Sequence, residues 1–248
     1  MSSVARTKAN GNSDGRTPLR RSNLVTLAHD EINRRIMVGE MRDGEKLVLA
    51  DLAREHGISI IPIREALSRL TAERLVTYEP NKGFRIAPAP DADEIAYLFE
   101  ARVVMELGAL EVGLRNVTKE ILDELRSINA EIRRQHYGSS FKDFEGFITM
   151  NARFHELLIG LTQNPLVKDA YRRLGYHERI PRVLHGRGVQ DIERIVAEHD
   201  AIIVALAAGS LEKARAALRA HIVDAYERLP QPAAGHPLRP LNASMPER

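Results

Sequence analysis

The residues in this chain best suited to chemistry are histidines. The 248-residue sequence holds nine of them and no cysteine. Thiolate nucleophiles, disulfides, Fe–S clusters and thiolate zinc sites are therefore excluded. His29, His56, His136, His177, His185 and His236 have no neighbour that completes a ligand set at helical spacing, and they read as surface or satisfied core residues. The other three differ. Asn151 precedes His155 by one helical turn, so both share a face. His199 and His221 stand at nearly equal distances on either side of Gly209-Ser210, a helix stop and a new cap between two helices. Helices joined so tightly run antiparallel, which brings both histidines to about the same height. Three imidazoles and an amide oxygen suit a divalent ion such as Zn²⁺ or Ni²⁺, with positions open to water or a ligand. Spacing by itself favours the plainer alternative of three unrelated histidines.

A second set lies nearer the N-terminus: Ser59, Arg64, Lys82 and Gly83. The elements that must position it follow from local pattern. Leu24, Leu27, Ala28, Ile32 and Ile36 repeat at helical spacing up to Gly39. Leu49, Leu52 and Ala53 mark a short helix stopped by Gly57, and Ile63, Ala66, Leu67 and Leu70 form the apolar face of the next. Residues 75–78, 79–83 and 84–86 then read as strand, turn, strand. Helix, helix, tight glycine turn, helix and hairpin is the layout of a winged helix-turn-helix. In such a layout the helix after the turn enters the DNA major groove and the hairpin tip reaches flanking backbone. Ser59 would cap that helix and meet a phosphate. Arg64, opposite Ile63 and Leu67, would reach a phosphate or a guanine edge. Lys82 with Gly83 would bring a charge and a backbone without a Cβ to the wing tip. Residues 22–90 are net neutral, so any DNA footprint is a sorted face drawn from Arg64, Arg69, Lys82 and Arg85. The alternative is a set of ordinary solvated charges, such as a Glu65–Arg69 helical pair.

After Ala87–Pro90, a linker that proline keeps out of helix and central strand, every pattern is helical. Asp91 with Glu94 makes a capping box, Thr118 is a plausible N-cap, and Asn164-Pro165 pairs a cap with a first-turn proline. The fold class expected is mostly α: a winged helix-turn-helix over 22–88 followed by an all-α helical bundle over 91–229. The stretch 1–21 carries Arg6, Lys8, Arg16, Arg20 and Arg21 against Asp14, and the stretch 230–248 is proline-rich. Both lack the apolar surface to offset ordering and are expected to be disordered. At 44% hydrophobic and 28% charged the remainder is an ordinary folded chain. No apolar run approaches the roughly 20 residues of a bilayer span, and the N-terminus has no secretory pattern. A cytoplasmic location with no membrane partner is expected.

Several separated motifs then fall in register. Gly57-Ile58-Ser59, Pro62 to Leu67, Leu75-Val76 and Gly83 to Ile86, led by Gly39-Glu40-Met41 and Gly44 to Leu47, resemble the GntR family winged helix. The resemblance implies DNA contacts at Ser59, Arg64, Lys82 and Gly83. The chain departs from it at Ile60-Ile61, where the family commonly places threonine, often preceded by arginine. Polar DNA contacts are lost there, and contact with a thymine methyl would replace one. Residues 91–229 resemble the FCD ligand-binding domain of the FadR subfamily. The motifs are Glu100-Ala101-Arg102 with Glu106, Asn151 to His155, Asn164-Pro165, Glu198-His199 and Ala220-His221. The resemblance implies a divalent metal on His155, His199 and His221, with Asn151 where metal-binding members have aspartate. A neutral amide oxygen would hold the ion less tightly. It also implies that Arg102 meets an effector carboxylate; the alternative for Arg102 is an ion pair with Glu106.

The function expected is a ligand-responsive, homodimeric transcriptional regulator, in the repressor direction. It would bind a double-stranded DNA operator and a small carboxylate-bearing effector. Two rivals remain at this stage: a metal-dependent enzyme acting on a small acid, and a winged helix used for protein contacts. Against the enzyme, Glu156 and Glu198 adjoin metal histidines in sequence but point elsewhere on their helices, leaving no evident general base.

Overall fold

The computed structural model describes residues 18–135, 137, 141–184, 191–229 and 238. They form two large apolar cores, one built from residues 25–86 and one from the helices that follow, with a small satellite of Ala109, Ile159 and Tyr171. The expectations for 1–17, for the rest of 230–248, and for His136, His185 and His236 fall outside the described residues.

Helix α1 (Pro18–Met37) opens inside the stretch whose composition marks it as disordered. Pro18 is tolerated because a first-turn N–H has no intrahelical acceptor to lose. The helix buries Val25, Ala28, Ile32 and Ile36. Leu27 is 65% exposed instead of sharing that stripe; at about 100° per residue it falls on the side away from Ile32. A two-residue strand, β1 (Lys46–Leu47), follows, too short to show an alternation in the sequence. Helix α2 (Leu49–His56) ends at Gly57, and α3 (Ile60–Ala72) turns its Ile63, Ala66, Leu67 and Leu70 into the core. Strands β2 (Val76–Glu79) and β3 (Gly83–Ile86) pair with Val76 opposite Ile86 and Tyr78 opposite Phe84, and β1 joins the free edge of β3. Gly83 closes the hairpin at φ 84°, where any Cβ would be strained.

The bundle consists of α4 (Ala92–Gly113), α5 (Lys119–Arg134), α6 (Phe141–Gly160), α7 (Pro165–Arg173), α8 (Tyr176–Arg179) running into the 3-10 turn Ile180–Leu184, α9 (Ile192–Ala207) and α10 (Leu211–Glu227). Side-chain oxygens of Asp91, Thr118, Asn164 and Ser210 cap their helices as the sequence suggests. Phe99, Leu110, Leu125, Phe154, Val196, Leu218 and Ile222 lie in one core. Among the described residues no helix is long and apolar enough to cross a membrane.

One buried arginine joins the halves. Arg182 donates to Asp43 Oδ1 (2.5 Å), to the Ala87 carbonyl (2.7 Å) and to the Pro88 carbonyl (3.3 Å). It therefore fastens the turn after α8 to the winged helix and its linker.

Candidate metal centre and nucleic-acid interface

His155 on α6, His199 on α9 and His221 on α10 meet inside the bundle. They are 0%, 0% and 3% exposed, and one nitrogen from each lies within 4.8 Å of the others. Their outward nitrogens are anchored. His155 Nδ1 faces Glu106 Oε2 at 2.7 Å, His221 Nδ1 faces Glu198 Oε2 at 2.8 Å, and His199 Nδ1 faces Asn129 Oδ1 at 3.2 Å. An acceptor at Nδ1 fixes the proton there and leaves the Nε2 lone pair free. Those lone pairs converge, with His155 Nε2 and His221 Nε2 3.2 Å apart. Two nitrogens bound tetrahedrally at the usual Zn–N distance of about 2.0–2.1 Å stand about 3.3 Å apart. His199 Nε2 and Asn151 Oδ1 are buried with no protein partner. Such orphans each cost about 1–3 kcal/mol, and a cation among the three histidines would relieve the one at His199. The residues present fit a divalent ion.

The outer partners are themselves held. Glu198 accepts from Arg228 at 2.6 and 3.0 Å, and Asn129 donates to Asp200 at 2.7 Å. Glu106, 0% exposed, accepts from Tyr171 Oη at 2.8 Å and from Arg102 Nε at 2.7 Å. The Arg102 guanidinium lies 4.0 Å from the Tyr176 ring centroid, and its outer nitrogen donates to the His155 ring at 3.1 Å from Nε2. The Arg102–Glu106 ion pair, one of the two sequence readings, is thus formed, and the same arginine borders the histidines.

Burial would raise the Glu106 pKa, but Arg102 and His155 outweigh it and hold the carboxyl well below the usual range. Burial would also raise Glu198, and hydrogen bonds from His221 and Arg228 bring it down to about 2. Burial pushes His155 down to about 4 and lowers His199 and His221 as well. All three imidazoles are therefore neutral at neutral pH, the form a metal takes. The pH dependence has a definite sign. Below the usual histidine value of 6.5 the unfolded chain takes up protons that the folded one refuses. This stability is complete above that pH and is lost as pH falls toward about 4, with His155 alone contributing about 3 kcal/mol. Denaturant midpoints of metal-free protein are expected to fall steadily from about pH 7 to about pH 4.5. A flat profile would contradict neutral, buried imidazoles.

Asn129, Tyr171 and Tyr176 had no assigned part in the site at the level of sequence; Glu106 was read only as an alternative partner of Arg102, and Glu198 only as a carboxylate out of place for a base. One signal was legible: Asn129 is a polar residue on the face of α5 that buries Leu125, Ile128 and Ile132. His177, read as bland, stacks 5.8 Å from His155. His29 and His56 remain apart from the site, bonded to Glu73 and to the Leu52 carbonyl. Of the two carboxylates weighed as bases, Glu156 pairs with Arg172, whereas Glu198, expected to point away, reaches His221 on the neighbouring helix and is also held by Arg228.

At the other end, Ser59 occupies the N-cap position of α3 but its hydroxyl makes no cap bond. That corrects its expected capping role, and the residue is exposed. Arg64 is exposed, on the side of α3 away from its buried face. Ile60, Arg64, Tyr78, Lys82 and Gly83 line one groove between α3 and the hairpin. Lys82 pairs with Glu79 at 2.7 Å, an exposed, solvent-screened contact that a phosphate would readily replace. Arg85 donates to the Gly44 carbonyl and is not part of this face in the sense expected.

Residues 25–86 match the family described as bacterial regulatory proteins, gntR family, and residues 97–224 match the FCD domain. The chain is 28% identical to an HTH-type transcriptional regulator, YdhC, of Bacillus subtilis, over 81% of this chain and 88% of that one. It is 26% identical to the HTH-type transcriptional repressor GlaR of Escherichia coli, over 81% and 93%. Among solved structures it resembles Escherichia coli McbR/YncC in fold, with a TM-score of 0.63 at 22% identity over 82% and 94% of the two chains. The relatives are named as regulators, which excludes the enzyme reading. With a DNA-binding winged helix joined to a ligand-binding bundle, the chain belongs to the GntR family as a ligand-responsive, DNA-binding transcriptional regulator carrying an FCD domain.

Proposed function

We propose that the bundle holds a divalent ion on His155, His199, His221 and Asn151, and that a small carboxylate-bearing effector binds there and releases the protein from its operator. The observation that carries this is the convergence of three Nε2 atoms whose opposite nitrogens are each anchored. The bound ion supplies a Lewis-acid anchor for carboxylate or hydroxyl oxygens. Arg102 supplies the second anchor. It draws on the same His155 lone pair that metal ligation uses, so in the loaded site its outer nitrogen is free for a carboxylate while Nε keeps Glu106.

Tyr176, against Arg102, and Arg182, on Asp43 and the linker carbonyls, belong to one short segment. A shift of Arg102 is thereby felt where the winged helix is fastened. A homodimer fits Tyr97, Val104 and Val112 on α4, which are 57%, 57% and 59% exposed. They form one apolar stripe, and exposed Gly108 lies along it with open space where a Cβ would stand. DNA contacts come from Ser59, Arg64, Lys82 and Gly83. A cytoplasmic location accords with a regulator that binds an operator.

The test takes full-length protein and a duplex selected by it from a random pool. Its affinity is expected to fall with salt and to weaken in Arg64→Ala. A panel of organic and sugar acids, with and without Zn²⁺ or Ni²⁺, is then screened by thermal shift. At least one acid is expected to raise the midpoint only with metal and to loosen the duplex. Acids that bind equally well without metal would overturn the metal-assisted reading.

A further inference from the structure

The first turn of α3 carries two isoleucines that no core claims. Ile60 is 41% exposed and Ile61 is 55% exposed. Ile63, Ala66, Leu67 and Leu70 define the buried side of this helix. At about 100° per residue, position 61 lies directly opposite that side, in line with Ser68. Ile60 turns toward the wing, where it lines the groove with Arg64 and Lys82. Isoleucine is a middling helix former and gains nothing from water, so neither local stability nor solubility accounts for it here.

A recognition helix presents its N-terminal residues to base edges on the floor of the major groove. Ile61 has no hydrogen bond to offer there. The one apolar group on those edges is the thymine 5-methyl; the cytosine and adenine amines and the guanine acceptors are all polar. An aliphatic side chain against a polar edge would strip its water without replacing the bond, which adds rejection of wrong bases to attraction for the right one. We infer that Ile61 is a specificity-determining residue that reads a thymine methyl in the operator, with Ile60 flanking it on the wing side. Arg64, one turn on, supplies the polar contact beside it.

The test isolates the methyl group. A duplex is selected from a random pool by the full-length protein, and its thymines are replaced one at a time by deoxyuridine, which keeps pairing and removes only the methyl. At one thymine in each half-site, the exchange is expected to weaken binding about fourfold, the worth of one buried methyl. Ile61→Ala is expected to bind the thymine and uracil duplexes equally, whereas Ile60→Ala retains the difference. Position 61 is exposed, and a circular dichroism melt confirms that the variant is folded. Wild-type protein indifferent to every exchange overturns the proposal. So does full discrimination in Ile61→Ala, or a selected site with no shared thymine.

Discussion

Replacing Arg102 with alanine is expected to destabilise the bundle by about 3–5 kcal/mol, the usual consequence of removing one partner of a buried ion pair. Glu106 is 0% exposed and its pKa is held low chiefly by Arg102. Without the guanidinium, the carboxylate keeps only Tyr171 and His155. It must then take up a proton or remain a charge in an apolar core. Part of the loss is packing, because the guanidinium also covers the Tyr176 ring. The midpoint of urea unfolding should drop with little change in slope. Adding Glu106→Gln should recover part of the loss, since the neutral amide still accepts from Tyr171 and no charge is stranded. A single variant within about 1 kcal/mol of wild type would mean the pair is not the buried anchor described here. The same variant bears on the metal: with no guanidinium drawing on His155 Nε2, the remaining ligands should take Zn²⁺ at least as well as before.

The second large effect concerns that ion. Wild-type protein supplied with excess Zn²⁺ or Ni²⁺ and then desalted is expected to retain one ion per chain. His221→Ala and His199→Phe should weaken binding at least about 100-fold, more than the roughly 10–100-fold typical of losing an outer partner. His199→Phe is the informative choice, because the ring stacks on Phe154 with centroids 3.9 Å apart and a phenyl group preserves that contact. It also removes a buried nitrogen that has no protein partner. Metal-free stability should fall only by the loss of the Asn129 contact at Nδ1, about 1–3 kcal/mol, while ligation is abolished. Glu198→Gln should fall between, because the His221 ring keeps an acceptor but loses the carboxylate that makes its Nε2 more basic. Wild-type protein with no retained ion would remove the metal from the proposed function, though not the DNA-binding role.

Much of the architecture was readable from local pattern. Gly57 as a helix stop, the hairpin of β2 and β3, and the caps at Asp91, Thr118, Asn164 and Ser210 follow from backbone chemistry within a few residues. Leu27 shows the limit of that reading. Apolar residues beyond those the core needs leave the rotation of a helix ambiguous, and only packing chose Val25. Ser59 and Lys82 were named as candidate DNA contacts, but their present contacts were not legible.

The histidine trio divides in the same way. Sequence alone limited the candidate donors to imidazole and amide, because the chain has no cysteine, and placed His199 and His221 at one height, because helical rise and a short connection fix that quantity. Tertiary structure decided which nitrogen of each ring faces inward, and that Arg102 lies against them. Ring direction is set by the partner at Nδ1. Those partners reach across the bundle: Glu106 from α4 to α6, Asn129 from α5 to α9, and Glu198 from α9 to α10. Spacing along one helix carries no information about contacts between helices so distant in sequence. It therefore gave the candidates for a site, and the packed bundle aimed them.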